Sequence, residues 1–286
     1  MKLNFREALA TLSRALPLVL FRAGVFVAGG FMVILLFAML LLASRPAGGA
    51  RLVVAAAAIL LAVLGWWGCS RVLQRFFLYR HRAAMLLYFS GRSTVATGLA
   101  ATIEESKSLI PDHSRWALLN RALRAALFAF IRADGKFPAP ATVQRPGGAA
   151  RILDLLAMGP LGQAVLSLAY GRGGTDGWRS VREGLALYIA YGMESRRLAR
   201  RWLLFSASGL LFLFLCLAIP NWVLFSSAGA PVWIGIVLAA VIARLLHQAF
   251  IVPFVLAGVS ASLLAETRGH EPDPALCEKI TPLLIP

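Results

Sequence analysis

Hydrophobic residues in this chain come in long unbroken blocks, separated by segments where arginine recurs at short intervals. The first block, Ala23 to Ser44, contains no ionisable residue. At about 1.5 Å per residue it reaches roughly 33 Å, enough to cross a hydrocarbon core of about 30 Å. It is too long for the apolar region of a signal peptide, and Arg45 to Arg51 makes no convincing cleavage site, so a retained span is expected. Residues 1–22 before it carry Lys2, Arg6, Arg14 and Arg22 and read as an amphipathic cytoplasmic N-terminus. The second block, Leu52 to Ser70, ends near Gly65-Trp66-Trp67-Gly68, and paired tryptophans fit an interfacial belt. The short connection between these blocks makes 23–70 a helical hairpin.

The third block, Trp202 to Ile219, is closed by Pro220-Asn221-Trp222. The fourth, Val232 to Ala265, is broken only by Arg244, His247, Gln248 and Pro253. As one helix it would be about 51 Å long, so it must tilt, kink at Pro253 or project beyond the bilayer. Together 202–265 form a second hairpin, followed by a tail at 266–286.

Between the hairpins, residues 71–201 keep a helical period with a polar face. From Ser114 to Arg132 the apolar positions Trp116, Leu119, Leu123, Leu127 and Phe130 gather on one side. Arg121, Arg124 and Arg132 gather on the other, with Ser114 as the expected N-cap. Phe137 to Gly148 is loop-like, Gly171 to Gly174 is a break, and Val181 to Arg201 returns to helix. Residues 155–169 are apolar but short for a crossing and read as a re-entrant or buried helix. The pattern therefore predicts an all-α integral membrane protein. It has about four transmembrane helices in two hairpins, with amphipathic helices and the 155–169 segment between them.

Composition supports this. Of 286 residues 59% are hydrophobic and 15% charged, against about 25% charged in soluble domains. Lys and Arg number 29 against 13 Asp and Glu, a net charge of +16. The segment 71–201 holds most of these cations and the loop between the last two blocks holds none, which places both termini and the centre in the cytoplasm. The Arg-, Ala- and Gly-rich bias suits a bacterial cytoplasmic (inner) membrane, with anionic lipid as an expected partner. No nucleic acid is expected, since the basic residues are not interleaved with stacking aromatics over a compact domain. Cys69, Cys216 and Cys277 are far apart and suggest neither a disulfide framework nor a zinc site. Gly29-Gly30 and Ala257-Gly258 offer close-packing faces for a homo-oligomer.

Catalytic signatures are missing: no phosphate-binding loop, zinc-protease motif or dinucleotide fingerprint occurs. Gly258-Val259-Ser260-Ala261-Ser262 has half of a nucleophile elbow, in an apolar run where small residues more often permit helix packing. No enzyme activity and no cofactor or metal is therefore expected. The sharpest polar feature is Arg244, about 18 Å along its block, with His247 one turn later. Asp154 or an anionic ligand or lipid is the expected counter-charge; alternatively Arg244 snorkels to the interface. The 114–132 helix suggests a lipid-surface site through Trp116, Arg121, Arg124 and Arg132, or a helix packed on its neighbours with solvated arginines. Two functions follow. One is handling of a small solute or lipid at Arg244; the other is a non-catalytic scaffold or assembly subunit that recruits a partner or anionic lipid.

Two stretches carry a family likeness. Trp178 to Tyr188 reads WRSVREGLALY and leads into a basic patch and a span. Ala243 to Phe254 reads ARLLHQAFIVPF and continues through Leu263-Leu264-Ala265-Glu266 to the polar His270 to Pro274. They resemble a family of bacterial multi-pass membrane proteins and, more distantly, the C-terminal half of choline transporter-like proteins. The resemblance covers about the last third of the chain. It implies a transport-type membrane scaffold and transfers no substrate-binding residue.

Overall fold

The structure is a computed structural model that describes residues 5–43, 57, 60, 64, 68, 79–90, 99–109, 113–132, 148–172, 177–227 and 232–284. Among these residues there are only helices, turns and short connections, with no strand. Most of the expected second span, 52–70, lies outside the described residues. By internal packing the chain forms two units: Met1–Val19 with Tyr79–Ala207 and Val252–Pro286, and Leu20–Leu78 with Ser208–Ile251.

Prolines explain most of the helix boundaries. Helix α1 (Phe5–Arg14) and α2 (Leu16–Ala43) meet at 79° around Ala15. Pro17 in the first turn of α2 lacks an N–H, and its ring would collide with the carbonyl four residues back, so one straight helix cannot run through. The first long apolar helix thus starts at Leu16, earlier than Ala23, and takes in Arg22. After α3 (Tyr79–Phe89), α4 (Leu99–Leu109) and α5 (His113–Arg132), the same device separates α6 (Gly148–Leu156) from α7 (Met158–Gly171), with Pro160 in the first turn of α7. Ser114 is not a cap, since α5 already begins at His113.

Helix α8 (Gly177–Tyr191) ends at a turn on Gly192, where a Cβ would lie 2.5 Å from the Tyr188 carbonyl oxygen. The expected continuous helix to Arg201 is therefore two helices. Helix α9 (Met193–Ser227) runs straight through Pro220, which corrects the expected stop there. Just after the proline, the Asn221 side-chain amide donates to the Leu217 carbonyl at 2.8 Å, a local bond within the same helix. Helix α10 (Val232–Leu246) passes into a π-helical turn, His247–Ile251, and then α11 (Val252–Glu266). The wide turn comes just before Pro253, whose ring in a regular helix would meet the Ala249 carbonyl. Helices 193–227 and 232–266 are both long and apolar enough to cross a membrane.

In the first unit α7 is the central element. Leu161, Ala164, Val165, Leu166, Leu168, Ala169 and Tyr170 on it are all buried. It packs on α8 and α11 and also meets α3 and α5. Gly184 on α8 permits this approach, since a Cβ there would sit 3.1 Å from the Val165 carbonyl oxygen and 3.2 Å from Ala169 Cβ. From Leu161 to Tyr170 the helix is largely buried among its neighbours, whereas Leu156, at the end of α6, is exposed. The tail also folds: α12 (Pro274–Leu284) docks on α5 and α8, with Asp273 capping its first turn through the Ala275 N–H. Phe5, Trp202, Phe205 and Phe254 form an aromatic cluster with centroids 5.2–6.1 Å apart.

In the second unit α9 and α10 form an antiparallel pair. A Cβ on Gly235 would lie 3.0 Å from the Asn221 carbonyl oxygen, and one on Gly209 would lie 2.8 Å from Ile251 Cδ1. Gly30 on α2 faces Leu245, which packs with Phe26, Val25 and Val241. The outward surface is apolar: Phe31, Leu211, Phe212, Trp222 and Leu224 are all more than half exposed. Gly30 and Gly258 serve close contacts inside the chain, against Leu245 and Trp202.

Gly258 gives a sharp test. A Cβ there would stand 2.6 Å from the Trp202 ring. Gly258→Ala should destabilise the detergent-solubilised protein by about 1–3 kcal/mol through overpacking. Gly24→Ala, with open space around it, should be neutral or slightly stabilising in the same thermal-unfolding assay. Equal melting temperatures for the two variants would contradict the packing described.

Candidate functional site

Polar side chains gather in two places, one in each unit. In the first unit the centre is Asp154 on α6, fully buried. Its neighbours along the chain are Ile152, Leu153, Leu155 and Leu156, so it is an acid embedded in an apolar stretch. Asp154 Oδ1 lies 3.0 Å from Nε of Arg200, near the start of α9. One turn earlier Arg196 is also buried, its guanidinium 5.0 Å from the Phe130 ring centroid and 5.9 Å from that of Tyr188. Spacing of four residues puts Arg196 and Arg200 on one helix face. Their sequence neighbours Arg197 and Arg201 are exposed, and Arg197 pairs with Glu194 at 2.6 Å.

Burial raises the Asp154 carboxyl above the ordinary range, although Arg200 and Arg196 pull the other way. The Tyr188 phenol is pushed up by burial too and stays neutral; its hydroxyl has no hydrogen-bond partner among the described residues. One carboxylate thus faces two guanidiniums and an aromatic cage.

At the same end of α9, the Glu266 carboxylate accepts from the backbone N–H groups of Glu194 and Ser195, each at 2.9 Å, and from the Ser195 hydroxyl. An acid at the end of α11 therefore caps the start of α9, where free N–H groups and the helix dipole favour negative charge. Ser260 is fully buried and donates to the Ser167 hydroxyl oxygen at 3.4 Å, an interhelical contact with no base beside it. Among the described residues no three metal-ligating side chains cluster.

In the second unit Arg244 and His247 come together as their spacing suggested, with Arg244 Nη1 3.4 Å from His247 Nδ1. Arg244 is exposed, whereas His247, in the π turn, is buried. Arg22 on α2 is buried with its guanidinium 5.4 Å from the Phe26 ring. The sequence contains no Asp or Glu from Ala8 to Ile103 or from Ser195 to Ala265, so this unit has no carboxylate of its own. Asp154, expected as one candidate counter-charge of Arg244, is paired with Arg200 within the first unit.

The expected lipid-surface helix is corrected in part. Trp116, Leu119, Leu123, Leu127 and Phe130 are all buried, so the apolar face of α5 is taken up by protein. Arg121, Arg124 and Arg132 remain exposed. The arginine pairs at 196/197 and 200/201, read from sequence as a stop at the bilayer edge, in fact divide: one face builds the buried cluster and the other meets solvent or headgroups. The signal for this was the lone acid among leucines at 152–156, which needs a buried cation.

No family model, curated protein or solved structure matches this chain.

The cluster makes two linked predictions. Arg200→Leu would leave Asp154 buried without its partner and should cost about 2–3 kcal/mol, below the usual 3–5 for a fully buried pair because Arg200 keeps some solvent access. A carboxyl raised on folding favours the protonated state, so its contribution weakens as pH rises above the ordinary value of about 4. Wild type should therefore lose stability relative to Asp154→Asn as pH increases through that window, and a slope of the opposite sign in detergent thermal melts would refute the assignment.

Proposed function

We propose that this chain is a multi-pass protein of a bacterial inner membrane and acts as a non-catalytic scaffold or assembly subunit. On this reading four spans in two hairpins anchor it, with both termini and the first unit on the cytoplasmic side. The spans are α2, the 52–70 block, α9 from Leu204 onward and the Val232–Ile251 stretch. Leu204–Val223 and Val232–Ile251 each measure about 30 Å, the thickness of the hydrocarbon core.

The single observation that carries the reading is that Arg244, the residue expected at the centre of a solute site, is exposed. A solute site is concave, with several polar groups aimed at one point. Here Arg244 Nη1 lies beside His247 on the outside of its helix, and Asp154, the acid expected to complete the site, lies against Arg200. An arginine on the outside of a helix about 10 Å from the unit boundary at Ile251 can extend to phosphate headgroups. With no carboxylate in the unit, anionic lipid is the natural counter-charge.

A second reading, handling of a small solute at Arg244, has one observation in its favour. His247 is buried beside Arg244 inside a π turn, and such turns recur at functional sites. Mass spectrometry of lipids copurifying with wild type and Arg244→Leu separates the readings. The scaffold reading predicts severalfold less phosphatidylglycerol or cardiolipin on the variant, and no small solute that raises the melting temperature of wild type alone. A solute that stabilises wild type but not Arg244→Leu would overturn it.

A further inference from the structure

Helix α6 is built inside out. Its acid, Asp154, is fully buried, while Ile152 is 61% and Leu156 63% exposed. Ile152 and Leu156 are four residues apart and share a face; Asp154, two residues from each, points the opposite way. Water would select the reverse arrangement, since two large exposed aliphatic side chains and a desolvated carboxylate are each unfavourable there. Next to a hydrocarbon layer the same arrangement is the favourable one.

The height of α6 is fixed by its ion pair. Arg200, 3.0 Å from Asp154, immediately precedes the apolar run that begins at Trp202. Leu204, one turn beyond Arg200, is 55% exposed and starts the outward apolar surface of α9 within the same unit. Arg197 and Arg201, exposed at the level of Arg200, match the charge of a phosphate layer.

We propose that α6 lies in the membrane interface, with Ile152 and Leu156 inserted among the upper acyl chains and the Asp154–Arg200 pair pinning it at the level where α9 enters the bilayer. This rests on the reading that α9 is a span. The occupant of the exposed face is the lipid surface itself. Its chemistry is an apolar layer for the two aliphatic side chains and anionic headgroups for Arg197 and Arg201. The apolar moment of α6 thereby serves the membrane that α5 was expected to touch.

Depth quenching in full-length protein tests this. With Cys69, Cys216 and Cys277 replaced, an environment-sensitive fluorophore is attached singly at Ile152→Cys, Leu156→Cys, Glu271→Cys and Phe212→Cys. Each labelled protein is reconstituted in vesicles of phosphatidylglycerol and phosphatidylethanolamine brominated at the 6,7 positions. Labels at 152 and 156 should be quenched severalfold more by the bromolipid than the label at 271, and less by aqueous iodide.

Iodide quenching at 152 and 156 equal to that at 271 would overturn the proposal. So would shielding from both quenchers, which would mean that protein or a second copy covers the face. Phe212 is 67% exposed on the apolar part of α9 and serves as the reference. If its label escapes bromolipid quenching, the span reading itself fails. If that label is quenched and those at 152 and 156 are not, only the placement of α6 fails.

Discussion

Two helices of 35 residues, α9 and the α10–α11 run, each have to satisfy two different surroundings, and most other features follow from that constraint. Over 193–207 and 252–266 they belong to a packed helical unit; over 208–227 and 232–251 they belong to a unit whose outer surface is Leu, Phe and Trp. A side chain suited to one environment is costly in the other. Trp202 is fully buried, yet Phe212, ten residues on, is 67% exposed. Acids are confined to the first kind of surroundings, and none occurs in the second unit. Helix α9 continues through Pro220 with the Asn221 amide bonded to the Leu217 carbonyl, and the run from Val232 meets Pro253 through a π turn.

Charge is placed where it fixes the rotation and height of α9. A buried ion pair contributes little net stability, because desolvation offsets most of the attraction. What it does supply is selectivity: Arg200 reaches Asp154 only if α9 turns this face inward, and Arg196 then lies against Phe130 and Tyr188. Glu266 adds a second constraint by capping α9 from the end of α11. With both ends of the sequence 195–266 tied together, the aromatic group of Phe5, Trp202, Phe205 and Phe254 has a defined place to pack.

Much of this architecture is legible in the sequence, because membrane helices and buried helix faces leave strong periodic signals. The apolar stripe of α5 is buried residue for residue, and the i, i+3 spacing of Arg244 and His247 does bring them into contact. What escaped was decided by tertiary partners. Proline inside an apolar run looks like a stop, yet α9 continues through Pro220 and the run from Val232 passes Pro253 after a π turn. Four arginines in six residues look like a stop at the bilayer edge until a lone acid 42 residues upstream of Arg196 draws one pair inward. The docked helix at 274–284 was read as a tail because its amphipathic signal is short and its partners, α5 and α8, are distant in sequence.

The central claim is that lipid surrounds the exposed apolar surface of α9, and the native Cys216 reports on it directly. This thiol is exposed on the helix, close to the middle of Ser208–Ser227. With Cys69 and Cys277 replaced, a charged maleimide should fail to modify Cys216 in intact vesicles from either side, while Ser227→Cys in the same background reacts from one side and denaturation in SDS exposes Cys216. Rapid modification of Cys216 in intact vesicles would mean that water, not lipid, covers this helix.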